Sequence, residues 1–414
     1  MAMPEWRRVL VLAAALLAAG CGSAAGPGVA AAPRVAATPG TTAASASTPT
    51  PATPPPGPAE SGLLQEAWQG YRAVFIQGDG RVVDPERDGA STSEGQSYAL
   101  LRAVWAGDRG TFDRVWRWTQ DNLGIRETGL FGFLWGNDHH GSYRLLSRDS
   151  AADADEDIAL ALLLASRRWS DAGYAAGSRG VLASIWAHDV AIAAGRPYLS
   201  AGSWAPGSRA TGLIVNPSYM APYAYRLFAA ADAGHPWAQL VATAYAAVRD
   251  CTAAPLSTGR SAGLPPNWCA IGADGRAGPA PRMSNSDDYG YDAFRTMWRV
   301  AVDVLWNNDA EGRAYLAGAT PLLRDWASRH GLAARYTHDG RALGATADPT
   351  VEGGDLGALL VADPAAAQSL LHDALLASYS RDGAAHFGDP RNYYEQNWVW
   401  FGIALAMGAV QSPE

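Results

Sequence analysis

Apolar residues recur at helical spacing in "SEGQSYALLRAVWAG", "GTFDRVWRWTQDNLG", "DIALALLLASRRW", "YMAPYAYRLFAAAD", "YDAFRTMWRVAVDVLW" and "NWVWFGIALAMGAV", with Gly, Pro and Asn between the runs. Alternating strand patterns are scarce. Several of the runs are apolar nearly all round, which predicts helices buried on every side, whereas "GTFDRVWRWTQDNL" has a polar face and predicts an outer position. An inner ring of buried helices wrapped by an outer amphipathic ring fits this mixture. A simpler helical bundle fits the periodicity almost as well.

One run carries an unusual polar start. In "AADADEDIALALLLASRRW", residues 151–169, Asp153, Asp155, Glu156 and Asp157 stand directly before the apolar positions. Capping accounts for part of this, because carboxylates at a helix N-terminus satisfy free N–H groups and meet the positive end of the dipole. Asp153 followed by Glu156 approximates a capping box. Asp153 and Asp157, however, are four apart, where like charges on one face repel. One carboxylate caps a helix; four require a further reason. Calcium is excluded, because an EF-hand reading places Ile158 at the turn position and Leu164 at the bidentate position. An active-site floor remains.

Composition divides the chain into three parts. Residues 1–20 carry Arg7 and Arg8 and then "VLVLAAALLAAG", too short to span a bilayer and shaped like a secretory signal. The signal ends in "LAAGC", which resembles a bacterial lipobox, so Cys21 is expected to carry lipid and tie the protein to a membrane in the cell envelope, the alternative being a plain signal peptide and a secreted protein. Residues 21–60 are nearly all Ala, Gly, Pro, Ser and Thr, a composition that cannot bury enough apolar surface to order itself, and they read as a tether. Residues 61–414 form one large domain, with no second linker.

The chemistry available is narrowed by what the chain lacks and carries. There is no lysine, which removes Schiff-base and phosphate-loop mechanisms. A formal charge of −8 with scattered arginines argues against a nucleic-acid partner. His139 and His140 are adjacent and do not share a face, so no metal is expected, and no cofactor. Export permits a disulfide between Cys251 and Cys269, which would add about 3 kcal/mol in the chain-entropy picture. Sixteen tryptophans and sixteen tyrosines are many for a helical domain, and aromatic faces are what pyranose C–H surfaces stack upon. Trp135, Trp204 and Tyr219 interrupt loop-like, polar sequence, which makes a sugar polymer the first substrate class to test.

"GRVVDPERDGASTSEGQSYALLRAVWAGDRGTFDRVWRWTQDNL", "AADADEDIA", "NPSYMAPYAYRLF", "PPNWC", "YGYDAFRTMWR" and "YYEQNWVWF" together resemble glycoside hydrolase family 8, in that family's order and across residues 61–408. The likeness is greatest to the bacterial cellulases associated with cellulose synthesis. Ala152 stands where the family signature usually has Ser or Thr, and Met297 where many members carry proline.

The resemblance implies an all-α (α/α)6 barrel and an inverting, endo-acting hydrolysis of β-1,4-glucan by a monomer. It assigns Glu94 as proton donor, Asp292 as base and Asp153 as the carboxylate holding the sugar at the cleavage point. Arg295, three residues after Asp292, is expected to keep the base ionised. Trp135, Trp204, Tyr219, Tyr291, Arg295 and Tyr394 are the expected substrate contacts, with Tyr291 helping to place the water. Asp155, Glu156 and Asp157 are left as caps or as partners of Arg144 or Arg148. Two other functions stay open: the same scaffold cutting xylan, mixed-linkage glucan or chitosan, and a silent glycan-binding lipoprotein. Asp292 counts against chitosan, whose family branch places its base elsewhere. A matched acid and base count against silence.

Overall fold

The computed structural model describes residues 58–138, 140–205, 212–281, 283–346 and 348–413. The expected signal, Cys21, all but the last residues of the expected tether, and His139 lie outside the described residues. The domain starts slightly before the expected boundary at Ser61, because its first helix begins at Pro58.

The helices are α1 (Pro58–Phe75), α2 (Ser93–Ala106), α3 (Arg109–Leu123), α4 (Ala152–Arg168), α5 (Ala172–His188), α6 (Pro222–Ala231), α7 (Trp237–Ala253), α8 (Arg295–Asn307), α9 (Ala310–Ala317), α10 (Thr320–Arg329), α11 (Pro349–Ala362), α12 (Pro364–Leu370) and α13 (Tyr393–Ala406). Packing sorts them into two layers. The inner helices touch in a closed circuit, α2 on α4, α4 on α6, α6 on α8, α8 on α11, α11 on α13 and α13 back on α2. Each carries an outer partner: α3, α5, α7, α9, α12 and α1 respectively. This is the (α/α)6 barrel. α4 and α13 are buried on nearly every face, as their all-round apolar sequences require, and α3 buries only Thr111, Phe112, Val115, Trp118, Thr119 and Leu123.

The inner circuit is tight because glycines line it. A Cβ at Gly402 of α13 would come within 2.3 Å of the Gly353 carbonyl of α11, and one at Gly357 within 2.6 Å of the Met297 carbonyl of α8. Backbone lies against backbone at those crossings, and only glycine permits it. α4 and α8 are joined instead by charge, with Arg299 forking onto both oxygens of Asp157 at 3.0 and 2.8 Å.

Strands are more numerous than the sequence pattern suggests. β1 (Ser91–Thr92), β2 (Gly132–Asn137) and β3 (Tyr143–Ser150) form one antiparallel sheet, β4 (Val190–Ala193) pairs with β5 (Arg196–Leu199), and β6 (Leu213–Val215), β7 (Cys269–Ile271) and β8 (Ala277–Pro279) form another. Most are two to four residues long, too short for alternation to register. They brace the loops at the helix ends. β1 leads directly into α2, whose N-cap is Thr92, and Val215 of β6 pairs with Cys269 of β7, itself bonded to Cys251 of α7 in a disulfide.

Candidate active site

The N-terminal ends of the inner helices gather at one end of the barrel. Glu94 lies in the first turn of α2, Asp153 in that of α4, Tyr219 just ahead of α6, Asp292 and Arg295 at the entry to α8, Asp348 at the N-cap of α11, and Tyr393 and Tyr394 in the first turn of α13. Parallel helix dipoles point their positive ends at this region, which favours carboxylates there.

Arg295 ties the carboxylates together. Its Nη1 donates to Asp153 Oδ2 at 2.7 Å and to Glu94 Oε2 at 3.1 Å, while its Nη2 donates to Asp292 Oδ1 at 2.9 Å. The guanidinium also lies over the Tyr219 ring, 5.2 Å from its centroid. Exposure separates the roles. The side chains of Arg295 and Asp153 are 1% and 3% exposed, whereas Glu94 and Asp292 keep 19% and 36% open to the cleft. Two accessible carboxyls therefore stand on either side of a sealed cation, spaced by its width and two hydrogen bonds.

Burial raises the proton affinity of Glu94 above that of an ordinary glutamate, and the charge of Asp153 adds to this. Arg295 opposes the rise, as does Tyr393, whose hydroxyl donates to Glu94 Oε1 at 2.8 Å. Asp292 is also raised by burial and by Asp153, against Arg295 and the facing Asn216 and Trp268 side chains. A carboxyl that holds its proton and another that accepts one are what acid–base cleavage of an acetal requires.

Glu94, Asp153, Asp292, Arg295 and Tyr219 are thus brought together. The remaining expected contacts fall in different places. Tyr394 donates its hydroxyl to the Tyr291 carbonyl at 2.8 Å, while the Tyr291 hydroxyl is taken by Asp348 instead of standing free for a water. Trp204 is exposed and lies 6.2 Å from Trp268, which meets Tyr219 edge-on at 6.1 Å, so aromatic rings run from the surface to the carboxylates. Trp135 sits on β2 opposite Ser91, but its ring stacks on Tyr143 at 5.0 Å and lies under the Arg81 guanidinium at 4.3 Å. It also meets Trp118 of α3 edge-on, so its ring packs on Tyr143, Trp118 and Arg81, away from the carboxylates.

The other acids of α4 require correction. They neither cap the helix nor meet Arg144 and Arg148. The N-cap is Ala151, with no side-chain bond; Arg144 pairs with Asp138 and Arg148 with Glu127. Asp157 takes Arg299, Asp155 Oδ1 accepts the Phe131 N–H at 3.0 Å, and Glu156 faces the Tyr225 hydroxyl, all in the interior. The sequence reading missed this because helix phase sends these three residues inward, where Asp157 and Asp155 find donors and Glu156 lies beside Tyr225. It also passed over Tyr393, Asn216, Trp268 and Asp348, although the first three stand inside motifs it had singled out.

Residues 49–320 match the description glycosyl hydrolases family 8. The chain is similar to an endoglucanase of Cellulomonas uda, 35% identical over 236 residues that make up 56% of this chain and 61% of that protein. It is similar also to an endoglucanase of Xanthomonas axonopodis pv. citri (strain 306), 36% identical over 248 residues, 57% of this chain and 60% of that one. The aligned regions thus span about three-fifths of the length of these relatives. Among solved structures, endoglucanase Cel10 of Klebsiella pneumoniae, a family 8 glycosyl hydrolase, superposes with a TM-score of 0.66 at 24% identity, over 83% of this chain and 99% of that one. A β-1,3-1,4-glucanase of Paenibacillus sp. X4 gives 0.71 at 20% identity, over 87% and 96%. These superpositions share the barrel.

Proposed function

The chain belongs to glycosyl hydrolases family 8, and from that premise we propose that it is an endo-acting β-1,4-glucanase that inverts the anomeric centre. The observation that carries this reading is the Arg295 bridge, which sets two cleft-facing carboxyls, Glu94 and Asp292, on either side of its guanidinium and holds the buried Asp153 beside them. Named relatives that are endoglucanases support the substrate class.

In this mechanism Glu94 gives its proton to the glycosidic oxygen as the bond from that oxygen to the anomeric carbon breaks. A water attacks the opposite face of the sugar ring, and Asp292 takes one of its protons as the new C–O bond forms. Asp153 accepts hydrogen bonds from the distorted sugar, where they strengthen as positive charge develops. One turnover leaves Glu94 ionised and Asp292 protonated, and exchange with solvent restores both. Arg295 positions all three carboxyls and needs to touch no substrate. The test is reducing-sugar release by the full chain on carboxymethylcellulose, lichenan, xylan and chitosan in parallel. Carboxymethylcellulose should be cleaved with a rapid fall in viscosity; activity on none of the four would leave a glycan-binding protein in its place.

On the sequence of residues 1–21 alone, we further propose that the protein is an envelope lipoprotein anchored through Cys21. Several acyl chains on one cysteine hold a protein firmly, where one would hold it only marginally. Wild-type protein should sediment with membranes and Cys21→Ser should not; equal membrane association of the two would remove the proposal.

A further inference from the structure

Asp292 is the most open of the three carboxyls at Arg295, yet it is raised by burial and by the negative charge of Asp153. Arg295 holds its Oδ1, but the same guanidinium is shared with Asp153 and Glu94. A second donor is built beside it. Asn216 is fully buried, and its Oδ1 accepts both the N–H of Ser218 at 3.0 Å and the Ser218 hydroxyl at 2.7 Å. Those two bonds fix which way the amide is turned. Its Nδ2 faces Asp292 and lowers that carboxyl's proton affinity, without completing a hydrogen bond of regular geometry. An orphaned buried amide N–H costs about 1–3 kcal/mol, so its retention needs a reason.

We infer that Asn216 is a positioning residue for the base: when substrate fills the cleft, its Nδ2–H donates to Asp292, aims that carboxylate at the water and keeps it ionised. The inference rests on the reading of Asp292 as base. Hydrogen bonds of this kind are often long in the free enzyme and tighten in the complex. The amide is also rigidly mounted. Asn216 follows β6, whose Val215 pairs with Cys269, and that cysteine is fixed to α7 by the disulfide. Trp268, next to Cys269, also faces Asp292. The other charged or titratable groups around the base are Arg295 on its own element, Asp153 on α4, Glu94 on α2 through the shared arginine, Tyr219 ahead of α6 and Tyr394 on α13. Beside Asn216, the Trp268 indole N–H is a second neutral donor to the base.

The test is Asn216→Ser, which keeps a competent N-cap while withdrawing the amide. The acid limb of the kcat profile should move up by about one pH unit, roughly a tenfold change in proton affinity. It should move more in kcat than in kcat/KM, and the alkaline limb should stay in place. Ser218→Ala, which removes one of the two pins, should shift the same limb less. Carboxyl ¹³C titration of Asp292, assigned by its loss in Asp292→Asn, gives a second readout. In a Glu94→Gln background the Asn216→Ser midpoint should rise without ligand and rise further with cellopentaose. Superimposable limbs and midpoints, with kcat merely scaled down, would assign Asn216 a structural role and overturn the inference. If the wild type cleaves no glycan, the function fails instead, and the titration without ligand still decides whether the amide acts on Asp292.

Discussion

The two oxygens of Glu94 have different neighbours, and both neighbours set how the acid works. Oε1 accepts the neutral Tyr393 hydroxyl and Oε2 accepts from the Arg295 cation, so both oxygens meet a donor that favours the ionised form. A donor to the ionised form lowers a carboxyl pKa. Removing it in Tyr393→Phe therefore raises the Glu94 pKa, and the alkaline limb of kcat/KM, where the acid must stay protonated, moves to higher pH. The acid limb, set by Asp292, stays. A looser acid also transfers less well, so kcat should fall about tenfold or more on an unactivated glucan and less on an activated aryl glycoside. An unmoved alkaline limb with equal losses on both substrates would reduce Tyr393 to a packing residue. The sequence reading reached Glu94, Asp153, Asp292 and Arg295 because each stands in a motif whose residue types match the chemistry. It chose Tyr394 over Tyr393 because adjacent tyrosines are equivalent until helix phase decides which hydroxyl reaches Glu94. The Asn216 amide was invisible for a related reason: a cap that turns its nitrogen toward a carboxylate is a matter of three-dimensional orientation.

At the scale of elements, the inner helices named from sequence were α2, α4, α6, α8 and α13, each with a dense apolar stripe. α11 escaped, because "PTVEGGDLGALLVA" carries three glycines that lower helix propensity by about 1 kcal/mol each. Those glycines are where the helix belongs to the barrel and not to itself: Gly353 and Gly357 let the backbones of α13 and α8 approach to contact. The trade can be measured. Gly→Ala in a helix interior gains up to about 1 kcal/mol of propensity. At Gly402 the new Cβ would stand 2.3 Å from the Gly353 carbonyl, a backbone atom that cannot rotate away, and overpacking of this kind costs about 1–3 kcal/mol or more. Gly402→Ala should therefore lower the melting temperature. Gly62→Ala in α1, where a Cβ meets nothing within 4 Å, should leave it unchanged or raise it. Equal melting temperatures for both variants would mean that the α11–α13 crossing yields easily. Short strands were illegible for a simpler reason. Pairs such as Tyr379–Ser380 with His386–Phe387 exist through their partners, with no period long enough to read.

Across the domain, a closed ring of helices does what a simple bundle, the competing reading of the same periodicity, does not. It points the inner N-termini at one place, so that residues scattered from Glu94 to Tyr394 meet around a single arginine. Periodicity alone left bundle and ring undecided, and closure of α13 onto α2 decided it. The central claim is that Glu94 and Asp292 act on opposite faces of one sugar, with a water between Asp292 and the anomeric carbon. Inverting sites hold their carboxyls about 6.5–9.5 Å apart for that water, and retaining sites about 5–5.5 Å for direct attack. The most direct measurement is the anomeric configuration of the first product, followed by proton NMR during hydrolysis of a β-1,4-linked oligosaccharide before mutarotation, with Asp292→Asn as the paired variant. The account predicts that the α-anomer appears first and that Asp292→Asn binds the oligosaccharide but does not turn it over. An initial β-anomer, or near-normal turnover by Asp292→Asn, would contradict it.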